Sequence, residues 1–278
     1  MTIPLESGIK WVEDPAGNVL AHMGRTVCRH MMAQTDHSRR AIVKRPAANV
    51  HPVEIYSIGM ERVAYTLASE LGLPVPAVHL EDVDDHASAV VVRIPNSRSW
   101  MALGSAPGMA SQIRNQDIWP LAALFDVWMA NTDRTHVNVL FETYPPGCSP
   151  GSARGCVCWL IDHGQCGLWP ADKLLGRKAE EVPDDPAQIV GTALRKEGEV
   201  AIAQRMKPEY RMALKHTLGP ARDALLDQVR NVGDDLIERA VQEVPDRYIT
   251  KGQSDATTQF LKGRRDALDT VLNEYWSG

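Results

Sequence analysis

Residues 125–141 read FDVWMANTDRTHVNVLF, and residues 156–166, across a Pro/Gly/Ser-rich break, read CVCWLIDHGQC. Three side chains here carry chemistry: Asp133, Asn138 five positions later, and Asp162 at the end of an apolar run. Phosphoryl transfer rests on positioning and charge neutralisation. One carboxylate receives the acceptor's proton, and two oxygen ligands hold Mg²⁺ across the phosphates. Mg²⁺ takes oxygen ligands and keeps several waters, so one amide and one carboxylate from the protein suffice. Singly, Asp133 or Asn138 reads as a turn cap. Together, in this order and spacing, and with Asp162-His163-Gly164 standing where a metal-binding Asp-Phe-Gly would stand, they read as a site.

The local pattern supports that placement. Ile118, Leu121, Leu124, Phe125 and Trp128 recur at helical spacing, which predicts a helix over about 116–130 with one buried face. Asn131 and Thr132 end it and open a loop. Val137 to Phe141 and Cys156 to Ile161 read as two short strands of a hairpin, so that Asn138 and Asp162 sit on or beside neighbouring strands.

NTDRTHVN followed by LIDHG resembles the catalytic and metal-binding segments of HipA-like kinases, relatives of the phosphatidylinositol 3- and 4-kinases. The resemblance implies that Asp133 is the catalytic carboxylate, that Asn138 and Asp162 bind Mg²⁺, and that ATP donates the phosphate. It also implies a fold: α+β and two-lobed like a protein kinase, with a small β-rich N-lobe over 1–95 and a mainly helical C-lobe over 96–278.

The N-terminal part extends the match. Val19 to His22 and Ala41 to Lys44 are short apolar runs joined by the polar stretch Arg29 to Arg40. Lys44 ends the second, in RRAIVKRP, where kinases keep the lysine that contacts the α- and β-phosphates. Composition alone makes it a solvated strand-end lysine; the Val-Lys match to the family makes it the nucleotide lysine. The connection over 23–40 is then expected to lie over the phosphates, although it holds one glycine, Gly24, and no G-x-G-x-x-G. Thr26, Thr35 and Ser38 in that connection are candidates for autophosphorylation. Met60, Val63, Ala64, Leu67 and Leu71 mark one face of a helix over 53–71, stopped by Gly72, Pro74 and Pro76. In MERVAYTLASELGLPVP, Glu61 is the expected ion-pair partner of Lys44, with Glu54 in reserve and an exposed helical glutamate as the plain alternative. ASAVVVRI, after the polar turn EDVDDH, reads as a strand running into a hinge, where Val92 and Ile94 are expected beside the adenine through their backbone groups.

Composition excludes other classes. The chain has 278 residues, 44% of them hydrophobic and 23% charged, enough to bury one substantial core or two modest lobes. Net charge is -5 and the sequence pI about 6.0, so no global basic field points to nucleic acid or an anionic membrane. No apolar run approaches the roughly 20 residues of a membrane span, and the first residues lack a signal-peptide layout; a cytoplasmic protein is expected. Cys148, Cys156, Cys158 and Cys166 with His163 nearby invite a zinc site, but Cys156 and Cys158 read as same-face strand residues rather than a zinc knuckle.

From 186 to 278 the pattern is helical, with breaks at Lys207-Pro208, Gly219-Pro220, Val232-Gly233 and Val244-Pro245, giving about four helices. Ile189, Leu194, Leu225, Val229, Leu236, Ile237, Leu261, Leu268 and Leu272 are the expected core. VPDRY and FLKGRRDALDTVL resemble the C-terminal helices of short HipA-like proteins. Arg264 and Arg265 are expected on a solvated face. His163 is expected to make structural contacts, and Arg134 to brace the loop or a phosphate.

The reading is an ATP- and Mg²⁺-dependent kinase acting on a hydroxyl, serine or threonine of a protein by family analogy. The resemblance also brings a toxin-like role with an antitoxin or regulatory partner. A lipid or small-molecule kinase and a catalytically silent nucleotide-binding module stay open.

Overall fold

The computed structural model describes residues 9–15, 26–46, 52–99, 113–135, 137–142, 156–167 and 221–273. Five strands, β1 (Trp11–Glu13), β2 (Thr26–Ala33), β3 (Arg40–Pro46), β4 (Val78–Val83) and β5 (His86–Val92), form an antiparallel sheet ordered β1-β2-β3-β5-β4. Two-residue alternation gives the sheet two faces. On one, Trp11, Met31, Ala33, Ala41, Val43, Val83 and Val90 form a small apolar cluster. On the other, Ala89, Val91 and Val78 pack against α1 (Pro52–Glu70), and Lys44, paired across the ladder with Cys28 and Ala89, belongs to this face.

The sequence explains these elements. The residues expected to be buried, Met60, Val63, Ala64 and Leu67 of α1 and Leu71 just beyond it, are all at most 6% exposed, and Gly72 with φ 75° follows the helix end. Strand β4 was not legible, because VHLEDV mixes polar and apolar residues. It pairs with β5 through the EDVDDH turn, in which Asp84 and Asp85 both take positive φ, the two-residue hairpin geometry that Asp tolerates.

One expectation is corrected here. The stretch expected to cover the phosphates is largely strand: β2 pairs along β3 from Thr26↔Pro46 to Met32↔Arg40. Ladder hydrogen bonds are made by backbone, so the polar side chains of Arg29 and His30 did not prevent it. The turn holding Thr35 and Ser38 lies at the other end of the hairpin, roughly 13 Å along the strand from the Lys44 row. Thr26 is at the Lys44 end. The strand expected over Val19 to His22 lies outside the described residues.

After Val92 the chain joins a second sheet, β6-β7-β8, made of β6 (Ser97–Ser99), β7 (Val139–Glu142) and β8 (Val157–Leu160), all antiparallel. A short 3₁₀ turn (Gln116–Ile118) leads into α2 (Trp119–Trp128), whose residues 121–128 are all buried. The C-terminal part holds α3 (Arg222–Arg230), α4 (Asp234–Gln242), α5 (Lys251–Asp266) and α6 (Leu268–Val271). The breaks expected at 232–233 and 244–245 are where α3 and α4 end. Leu225 is partly buried, whereas Val229, Leu236, Ile237, Leu261, Leu268 and Leu272 are core; Ile189 and Leu194 lie outside the described residues.

Arg264 and Arg265 are the second correction. They are 0% and 9% exposed, because each guanidinium is hydrogen-bonded to backbone carbonyls at helix ends. Arg264 donates to Val127 O and, at 2.9 Å, to Trp128 O at the end of α2; Arg265 donates to Val232 O at 2.7 Å.

Candidate active site

The site begins inside α2. Asp126 is a carboxylate in an otherwise apolar helix, 1% exposed, and it accepts from the Nε and Nη2 of Arg134 at 2.8 and 3.2 Å and from Asn131 Nδ2 at 2.8 Å. A buried charge persists only when paired and hydrogen-bonded, and these contacts supply both. Asn131, fully buried, accepts the N–H of Asp133 on its Oδ1 at 3.1 Å and so sets the loop that carries Asp133. Asn138 Nδ2 then donates to Asp133 O at 2.7 Å and to Asp133 Oδ2 at 3.3 Å. That contact orients the amide and leaves its carbonyl oxygen as a donor for a hard cation.

Asp162 follows β8 with φ 62°, a left-handed conformation that costs a non-glycine residue energy and gathers at functional positions. Its neighbours fix it: the N–H of Ile161 donates to Asn138 O at 3.1 Å, and that of Gly167 donates to Met129 O at 2.8 Å. Lys44 Nζ reaches across from β3 and donates to Asp162 Oδ1 at 2.9 Å and to Glu61 Oε1 of α1. The other Glu61 oxygen, Oε2, accepts the N–H of His163 at 3.1 Å. Gly164 lies so close to α1 that a Cβ there would stand 2.5 Å from Ser57 Oγ and 3.2 Å from Glu61 Oε1, which explains the glycine.

The electrostatics follow from this packing. Burial opposes charge on Lys44, but Asp162 and Glu61 outweigh it and raise its pKa, so the ammonium stays charged. Burial would raise the carboxyl of Asp162, but Lys44 outweighs it and holds it at about 2; the side chain is 40% exposed, ionised and open to a ligand. Burial raises the carboxyl of Glu61 against the pull of Lys44. Asp133, half-buried, is raised by loss of hydration and by the charge of Asp162, with Asn138 opposing, which moves it toward the range of a general base. Burial, then Arg134, lowers His163 to about 3, so its ring is neutral and its Nε2 accepts from Arg134 Nη2 at 2.7 Å.

The structure therefore brings Lys44, Glu61, Asp133, Asn138 and Asp162 together. Glu54, the reserve partner, is buried on α1, but it is Glu61 that pairs with Lys44. Val92 and Ile94 stand apart from this cluster. Val92 pairs with Ala41, which puts its side chain on the sheet face opposite Lys44, and its N–H donates to Ala77 O at 2.9 Å; Ile94 is buried and accepts Ser97 Oγ at 2.9 Å. Of the cysteine cluster, Cys158 and Cys166 are buried, Cys156 is half-buried and Cys148 lies outside the described residues. Among the described residues no group of three or more His, Cys, Asp or Glu is placed to hold a metal, and no helix is long and apolar enough to cross a membrane.

No family model and no curated protein matches the sequence. By structure, the chain is similar to the Helicobacter pylori proinflammatory kinase CtkA, with a TM-score of 0.59 and 13% identity over 96% of both chains. The fold is that of the kinase CtkA. A second similarity is to HipA of Shewanella oneidensis MR-1, from a toxin-antitoxin complex with HipB and operator DNA, at a TM-score of 0.49 and 12% identity over 98% of this chain and 75% of that one. The α+β, kinase-like fold expected from NTDRTHVN and LIDHG stands on the CtkA likeness.

Within this CtkA-like fold, the sequence reading missed Asp126. Its signal was present: the one charged residue in the apolar run LAALFDVWMA, eight residues before an arginine that follows the candidate carboxylate.

Proposed function

We propose that this chain is an ATP-dependent phosphotransferase that moves the γ-phosphoryl group to a hydroxyl, as a HipA-like serine/threonine protein kinase. The observation that carries the reading is the ion triad Glu61–Lys44–Asp162, which joins two sheets and a helix beside Asp133 and Asn138. Five groups from four distant parts of the chain converge on one place, and their chemistry is that of nucleotide-phosphate handling.

In this reading Asn138 and Asp162 hold Mg²⁺, which supplies charge neutralisation across the phosphates when bound. The donor set suits it, being one amide oxygen and one ionised carboxylate. Lys44 steadies the phosphates, and Glu61 holds Lys44. Asp133 receives the acceptor hydroxyl's proton, and its raised carboxyl suits that step. Hinge backbone beside Val92 and Ile94 takes the adenine. An antitoxin-like or regulatory protein partner and a cytoplasmic site of action belong to the same reading, as does autophosphorylation, which intact-mass spectrometry after incubation with Mg-ATP reads directly.

The test is calorimetric titration of ATP, with and without Mg²⁺, into wild type and Asp162→Ala, beside ATP consumption by Asp133→Ala. Mg²⁺-dependent binding that Asp162→Ala weakens, with Asp133→Ala binding but not turning over, is the expected result. A wild-type chain that binds no ATP overturns the reading.

A further inference from the structure

Arg134 is 1% exposed, and its whole fork is used. Nε and Nη2 hold Asp126 of α2 at 2.8 and 3.2 Å; Nη1 donates to Asn138 O at 2.7 Å and to Ile161 O at 2.8 Å; Nη2 also donates to His163 Nε2 at 2.7 Å. The two carbonyls are the informative partners. One belongs to Asn138 itself, and the other to the residue immediately before Asp162. One planar cation therefore grips the backbone beneath both oxygen ligands that the proposed function assigns to Mg²⁺. Through His163, whose N–H donates to Glu61 Oε2, the same guanidinium is two hydrogen bonds away from the Lys44–Glu61 pair.

We infer that Arg134 is the positioning residue of the divalent-cation site, setting the spacing of Asn138 and Asp162 without touching the cation or the nucleotide. The inference rests on the kinase reading and deepens it. The physical need is clear: Mg²⁺ demands near-ideal octahedral geometry, so two donors at the ends of separate strands must be held at one spacing before the ion arrives. Nη1 clamps both carbonyls while Nε and Nη2 tie the rigid fork to Asp126 and His163, whereas a lysine, with one flexible ammonium, cannot span all four partners. Asp126 keeps the fork in place, which gives the buried carboxylate in α2 its purpose.

The test compares ATP affinity by calorimetry over a Mg²⁺ series, and in EDTA, for wild type, Arg134→Lys and His163→Leu. Arg134→Lys keeps the charge but cannot hold Asp126, His163 and both carbonyls at once. Its Mg²⁺-free ATP affinity is expected to stay at the wild-type value, because Lys44 and Glu61 are intact. The Mg²⁺ concentration for half-maximal enhancement of ATP binding is expected to rise roughly ten-fold or more, the scale on which groups that orient metal ligands act. His163→Leu removes one of the four anchors and keeps the carbonyl clamp, so its shift is in the same direction and smaller. A role confined to stability lowers the melting temperature and leaves this Mg²⁺ requirement unmoved. Folded Arg134→Lys with a wild-type Mg²⁺ requirement overturns the inference while the kinase reading stands. If Arg134→Lys does not fold, His163→Leu decides, and an unmoved Mg²⁺ requirement there overturns it equally. A wild type without Mg²⁺-dependent ATP binding removes the kinase reading and the inference with it.

Discussion

Lys44 sits between two carboxylates, and the consequence depends on burial. Glu61 is 4% exposed, so removing its partner strands a charge away from water. Lys44→Met is expected to cost about 3 kcal/mol on the scale of broken buried pairs, and the double variant Lys44→Met/Glu61→Met to recover much of that loss, because an apolar pair of similar volume has no desolvation debt. Urea denaturation of the two single variants and the double checks this; a double variant as unstable as the sum of the singles contradicts it. His163 gives a second prediction at this scale. Its folded pKa, about 3, lies below the ordinary value of 6.5. The unfolded chain therefore binds a proton that the folded chain refuses. The group's contribution is fully present above about pH 6.5 and is lost as pH falls toward 3, at no more than about 1.4 kcal/mol per pH unit. Burial, then Arg134 and Lys44, enforce this, and Asp126 and Asp162 oppose it. His163→Leu loses stability at pH 7, where Arg134 misses an acceptor, but its denaturation curve and that of wild type should converge between pH 6 and 4. Parallel curves would contradict the assignment. Acidic residues raised in the folded state, Asp133 and Glu61, act with the opposite sign and are common to both proteins.

Single elements show why some of the fold was legible and some was not. Helix α1 announced itself by periodicity and by the Gly72 stop, and β5 by its run of valines. The Lys44, Glu61, Asp133, Asn138 and Asp162 set could be picked out because each is a charged or amide group at a motif position. The burial of Arg264 and Arg265 could not, because helical spacing identifies a polar face without saying that α2 ends against it. The same limit applies to β2, whose polar side chains hide a ladder made by backbone. Gly59 in the middle of α1 is a feature of this kind: it lowers helix propensity, and only the packing explains it. A Cβ there would stand 2.7 Å from Ile249 Cγ1 and 3.2 Å from Tyr248 Cβ. Gly59→Ala is therefore expected to destabilise by about 1–3 kcal/mol despite alanine's better propensity. Pairing it with Ile249→Val, which trims the nearest neighbour, should recover part of the loss in thermal denaturation. A stabilised Gly59→Ala would mean that propensity outweighs the close approach.

At the scale of the molecule, the helix that carries Glu61 is held from behind by the C-terminal helices. Tyr56 of α1 shares a 2.9 Å hydrogen bond with Thr257 of α5, Gln228 of α3 donates to Leu71 O at 3.2 Å, and Trp128 Nε1 of α2 donates to Leu261 O of α5 at 2.9 Å. Tyr248 adds the link to the five-stranded sheet: its hydroxyl lies 3.2 Å from Ser88 N, Ser88 O and Glu81 O. The buried apolar residues of α1, α2, β7, β8 and α3 to α6, with Val78, Ala89 and Val91 of β4 and β5, accordingly form one continuous core, beside the small cluster on the other face of the five-stranded sheet. A continuous core resists partial opening, because exposing either half strips apolar area from the other. The β4–β5 hairpin and α5 should therefore exchange their amide hydrogens through a common opening, with the same dependence on denaturant. Tyr248→Phe removes the hydroxyl that bridges Ser88 and Glu81, at a cost of about 1 kcal/mol for the lost hydrogen bonding. In that variant the protection of the hairpin and of α5 should fall by the same factor, measured by hydrogen exchange with mass spectrometry. Loss confined to the hairpin would show that the sheet opens independently. The Lys44–Glu61 pair would then depend on the sheet's own stability, without support from the C-terminal helices.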